Sequence, residues 1–138
     1  MSNTELLKEW HRKFDTWEKA RIDTSEDIRT QGKALLDARA ELERMKSETQ
    51  LEMDRIYKAL LQEFEGKRSN AEEREQRLRE LQAADDYLQV ATANEDSART
   101  SAQDFQATLD ELHRKDSLIK DMMRSERALI NYLAAGDN

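Results

Sequence analysis

Phe64-Glu65-Gly66-Lys67-Arg68-Ser69-Asn70-Ala71-Glu72 lies almost at the midpoint of a 138-residue chain, and its reading decides the fold. Gly66 can take the positive φ that closes a helix, because it has no Cβ to crowd the backbone. Ser69-x-x-Glu72 has the form of a capping box, in which a hydroxyl and a carboxylate satisfy the free N–H groups of a helix start. Stop and start signals so close together predict one long helix over 4–65, a turn at 66–69 and a returning helix over 70–134. The expected fold is all-α: a long antiparallel two-helix hairpin, packed as a coiled coil and forming a single domain over 1–138. At about 1.5 Å per residue, arms of roughly 63 residues would each reach about 95 Å.

Both arms carry the pattern such a fold needs. From Leu7 an a/d seam runs through Trp10, Phe14, Trp17, Ile28, Leu35, Leu42, Met45 and Ile56, and eleven of its sixteen positions are apolar. The stripe then drifts to Met53, Leu60 and Phe64, as a helix of about 3.6 residues per turn drifts against a seven-residue repeat. On the return, twelve of fifteen positions between Ala84 and Leu133 are apolar, among them Leu88, Phe105, Leu112, Ile119, Met123 and Ile130. Asn3 or Thr4 is the expected N-cap of the first arm, with Glu5 well placed in its first turn. Residues 71–77 are polar on nearly every face and read as a solvated tip.

Two stretches are candidates for a kink or break. Near 22–32, Arg21, Thr24 and Gln31 occupy seam positions and Gly32 costs about 1 kcal/mol of helix propensity. The other is near 93–97, within a stretch from Thr92 to Ser101 that is rich in Ala, Ser, Thr and Asn. Folding about residues 67–68 sets this second stretch against 34–43, where Ala34, Ala38 and Ala40 would allow close helix approach; a joint at Asn94 to Ser97 is the alternative. The same folding brings Arg21 within a turn of Asp116 and Arg39 near Glu95, pairs that could fix register because a slip strands a charge. A parallel dimer of unbroken helices is the rival architecture, with Gly66 costing only about 1 kcal/mol in mid-helix. It would set Arg21 against Arg21 and Asp116 against Asp116.

Composition narrows the function classes. Charged residues make up 38% of the chain, with 23 Lys and Arg against 30 Asp and Glu, a net charge of −7 and no Cys or Pro. Interspersed signs and a net negative charge speak against a nucleic-acid partner, which needs clustered cations. Disulfides, thiolate catalysis and Cys-ligated zinc are excluded. No run of about 18 uncharged apolar residues is present, so a membrane span is not expected. Lys8, His11, Arg12 and Lys13 alternate with apolar residues as in an interfacial helix, but the seam gives that face a partner within the chain. The start of the chain lacks a signal-peptide core, which leads to the expectation of a soluble cytoplasmic protein, with signal-independent export left open.

For catalysis the residues offer little. His11 and His113 fall far apart in the expected hairpin, and Asp110-x-x-His113 with Asp116 has no matching second motif of the kind a metal-binding bundle needs. No catalytic, cofactor or metal site is expected. Aromatic and apolar residues instead concentrate where the termini meet. Leu6, Trp10, Phe14, Trp17, Leu118, Met122, Leu129 and Tyr132 are the candidate partner-binding residues, since several lie off the seam and make a surface wider than one hairpin covers. Stapling of the two helix ends is the alternative use for them, and Tyr57, Leu61 and Phe64 read as turn packing.

The resulting expectation is a non-enzymatic, rod-like scaffold or adaptor subunit. It would dock through its aromatic open end onto other helical proteins or a second copy. A component of a protein-export system is the second reading. A hairpin with glycine at its bend resembles, in architecture, the small substrates of type VII secretion and the stalk proteins of flagellar or type III export ATPases. Phe64-x-Gly66 is similar to the turn motif of the former. Tyr132 is followed four positions on by Gly136, not by the acid of their export signature.

Overall fold

In a computed structural model, which describes residues 2–136, the chain is all-helical. The elements are α1 (Asn3–Glu63), α2 (Ala71–Ala84) and α3 (Asp86–Gly136), and no strand occurs among the described residues. The chain divides into two compact units. One, the terminal unit, comprises Met1–Ala34 and Phe105–Asn138; the other, the turn unit, comprises Leu35–Asp104. In each, α1 packs against chain running the opposite way.

The helix ends follow capping chemistry, though not always at the expected residues. At the start of α1 the capping box is Ser2 to Glu5, one or two residues before the expected Asn3 or Thr4. Glu5 N donates to Ser2 Oγ and Ser2 N donates to Glu5 Oε2, both at 3.2 Å. At the midpoint, α1 ends at Glu63 and Gly66 takes φ +72°, the left-handed conformation expected of it. Lys67 N closes the turn by donating to Phe64 O at 3.0 Å. The N-cap of α2 is Asn70, not Ser69: its Oδ1 accepts from Glu73 N at 2.8 Å, with backbone at φ −94° and ψ 171°. An amide oxygen one residue further along serves the same purpose as the expected hydroxyl, and Glu72 stands in the first turn beside Glu73, where the helix dipole favours acids.

The returning arm is not one helix. It is broken at Asp85, and neither stretch expected to be weak is where the break falls. α1 passes unbroken through Gly32, and α3 passes unbroken through Asn94 to Ser97. Asp85 is extended, at φ −88° and ψ 105°, and closes α2 by donating its N–H to Gln82 O. Its Oδ1 also accepts from Leu88 N at 2.8 Å, so the same residue caps the start of α3. Gln89 Nε2 reaches back across the break to Gln82 O at 3.1 Å, a second donor on the carbonyl that Asp85 N already meets.

The seam residues are the ones the periodicity picks out. Leu35, Met45, Ile56, Leu60, Leu88, Ala91, Ala98 and Ala102 are buried in the turn unit, and Ile119 and Met123 in the terminal unit. Thr24, Asp116 and Glu126 are buried with the latter, all at seam positions. In the terminal unit the pairing of the arms differs from the expected one, whereas near the turn Gln82 Nε2 meets Met53 Sδ at 3.6 Å, the level that folding about 67–68 gives. Trp17 meets Glu126, and Phe14 shares a groove with Arg127 and Ile130, whereas folding about 67–68 set Trp17 opposite residue 118. The displacement there is about two helical turns, which keeps the apolar stripe of α3 toward α1. Hydrophobic pattern alone therefore does not distinguish the two alignments.

Candidate functional site

The terminal unit uses most of its aromatic residues internally. Trp17 is half-buried, and its indole Nε1 donates to Glu126 Oε1 at 3.1 Å. Phe14 lies beneath the Arg127 guanidinium, 5.3 Å from the ring centroid, and Trp10 beneath Lys13 Nζ at 4.3 Å. These cations sit over the negative faces of the rings, an arrangement that shields aromatic surface from water while leaving the charge outside. Leu6 and Leu129 are half-buried as well. On α1 Ile22 is left 55% exposed, and the other open apolar residues of the unit are on α3. Leu118 is 60% exposed, Met122 38% and Tyr132 75%. Leu118, Met122 and Leu129 recur at intervals of four and seven, so they form one stripe along the helix, outside the seam of Asp116, Ile119, Met123 and Glu126.

The expected pair of Arg21 with Asp116 is not the one formed. Asp116 Oδ2 accepts from Lys120 Nζ at 2.8 Å, one turn along its own helix, and Glu95 is held by Arg99 at 3.7 Å. Displacement by about two helical turns carries Arg21 past Asp116. Arg21 lines a groove of about 200 Å³ with Lys120, Met123, Arg124 and Arg127. Buried carboxylates in this unit keep one oxygen each without a hydrogen-bond partner, Asp116 Oδ1 and Glu126 Oε2.

In the turn unit a second open surface lies where the sequence pattern drew no attention. Leu51 on α1 is 66% exposed, and Tyr87 and Val90 on α3 are 75% and 59% exposed. With Glu48, Glu52, Arg55, Ala91 and Asn94 they line a groove of about 460 Å³. Leu51, Tyr87 and Val90 lie off the a/d register, and the cue was available: three large apolar residues on polar helix faces, brought to one level only by the antiparallel fold. Tyr57 and Leu61, read as turn packing, are each 54% exposed.

Ion pairs on the surface are mostly local to one helix. Arg44 donates to Glu41 Oε1 at 2.6 Å and holds the Glu41 carboxyl below its ordinary value. Arg77 bridges the turn to Glu63, with Nε 2.8 Å from Oε1, and also reaches Glu80; these hydrogen bonds raise the guanidinium pKa further. Among the described residues no three His, Asp or Glu side chains are grouped to hold a metal ion, and no helix is long and apolar enough to cross a membrane. Comparison with protein families, with characterised proteins and with solved structures finds no match to this chain.

Proposed function

We propose that the chain is a non-enzymatic coiled-coil subunit, a helical hairpin that acts as an adaptor or scaffold and assembles first with a second copy of itself through the outer face of α3 in the terminal unit. The observation that carries this reading is the exposure of Leu118, Met122 and Tyr132 on one side of a helix whose opposite side is already packed. A third apolar stripe on a two-helix unit finds water on one side, and covering it with another helix is the ordinary solution. The aromatic residues Trp10, Phe14 and Trp17 then support the face from behind and do not themselves form it.

The stripe is also self-complementary: when two copies meet antiparallel about residue 125, Leu118 of each falls opposite Tyr132 of the other, as a two-fold contact requires. Light scattering coupled to size-exclusion chromatography tests this. The expected result is a dimer for the wild-type chain and a monomer for Leu118→Glu with Met122→Glu, at unchanged helical circular dichroism. A wild-type monomer, or a dimer indifferent to these substitutions, would overturn the self-association.

A further inference from the structure

We infer that the groove between Glu48–Arg55 of α1 and Tyr87–Asn94 of α3 is a docking site for a basic amphipathic helix of another protein. The groove is about two helical turns long on each side and has two kinds of lining. Leu51, Tyr87 and Val90 supply apolar surface, each more than half exposed in the free chain. A helix laid between two others can bury all three at once, its own apolar residues recurring at i, i+3 or i+4 and i+7.

The polar part of the lining selects the sign of the partner. Glu52 is tied to Arg55 through Oε1 at 2.7 Å, while its Oε2 is buried and has no donor. The carboxylate is therefore only partly compensated, and a lysine or arginine entering the groove is drawn by its charge without touching the buried oxygen. Glu48, which Arg44 meets at 3.2 Å, adds a second carboxylate at the rim, and with Arg55 paired to Glu52 the lining holds two carboxylates against one guanidinium. The wider field points the same way. Leu35–Asp104 holds 17 Asp and Glu against 11 Lys and Arg, a net −6 of the chain's −7. An acidic helix would be repelled, and a cationic one drawn in before contact.

The test uses the full chain and two labelled synthetic helices of identical leucine pattern, one with lysine and one with glutamate on the polar face, followed by fluorescence anisotropy. The lysine peptide should bind and the glutamate peptide should not. Leu51→Ser with Val90→Ser should weaken the lysine peptide by about tenfold or more, as loss of two central apolar contacts does. Glu52→Gln should weaken it several-fold, whereas Leu36→Ser, an equally exposed leucine outside the groove, should leave it unchanged. Equal loss in the Leu36→Ser control would reduce the effect to general adhesion and overturn the site. Conversion of a wild-type dimer to a monomer by Leu51→Ser with Val90→Ser would assign the groove to a second copy. Binding of anionic lipid vesicles that these substitutions abolish, with no peptide binding, would assign it to a membrane surface. Because Leu118 and Met122 are untouched, failure here leaves the proposed dimer face to stand or fall on its own experiment.

Discussion

Trp17 and Glu126 hold each other across the terminal unit: the indole Nε1 donates to Glu126 Oε1 at 3.1 Å, and the second carboxylate oxygen is buried with no partner. A carboxylate in this position is poorly compensated, since a single neutral donor faces a charge withdrawn from water. Trp17→Phe removes that donor and should destabilise the unit by about 1–3 kcal/mol. Glu126→Leu removes the charge and should be close to neutral, or stabilising. Urea denaturation of the two single variants and the double variant checks this. The double variant should recover most of the loss seen in Trp17→Phe, because no stranded charge remains.

Asn70 and Ser69 make opposite predictions at the turn. Asn70→Ala deletes the side chain that accepts from Glu73 N and should cost about 1 kcal/mol. Ser69→Ala should cost almost nothing. Thermal melts by circular dichroism separate the two outcomes, and a larger loss at Ser69 would restore the capping box read from the sequence.

Gly66 and Gly32 should also part company. Gly66→Ala forces a Cβ into φ +72° and should destabilise by about 1 kcal/mol or more, although no neighbouring atom lies within 4 Å. Gly32 is in the middle of α1 with equally open surroundings, so Gly32→Ala should stabilise by up to about 1 kcal/mol. Melting temperatures of the two variants, compared in one buffer, decide the matter.

Much of this architecture was legible in the chain, and the misses have definite causes. The seam was legible because burial of a helix stripe leaves a periodic mark; even Thr24, Asp116 and Glu126 stand where the register put them. Alignment of the arms in the terminal unit was not legible, since a slip of about two helical turns preserves that mark and Arg21 with Asp116 was a pairing of charges, not of shapes. The break at Asp85 escaped because Asp85-Asp86 on a polar tip looks like solvated surface, and a cap differs from such a surface only in backbone geometry. The groove of Leu51, Tyr87 and Val90 escaped because its residues come from two helices and make no pattern on either.

Glu41 gives a pH dependence whose sign is set by Arg44. Its hydrogen bond to Arg44 holds the folded-state pKa below the ordinary 4.5, so the stabilisation is present above pH 4.5 and is lost as pH falls through the folded value. Wild-type chain should therefore melt slightly above Glu41→Gln near neutral pH, with the gap closing in acid. Both side chains are exposed at the surface, which keeps the difference small and makes it shrink with added salt.

Asp85 has a kinetic consequence. Helix unwinding spreads cooperatively because each residue released frees the next, and the spread halts where the ladder must be nucleated again. With α2 containing no buried residue, fraying that begins at the midpoint turn can run the length of α2 and stop at Asp85, which starts α3 afresh through Leu88. The amides of residues 71–84 should then exchange with solvent as one early-opening unit, while those beyond Leu88 hold theirs until the wider structure gives way.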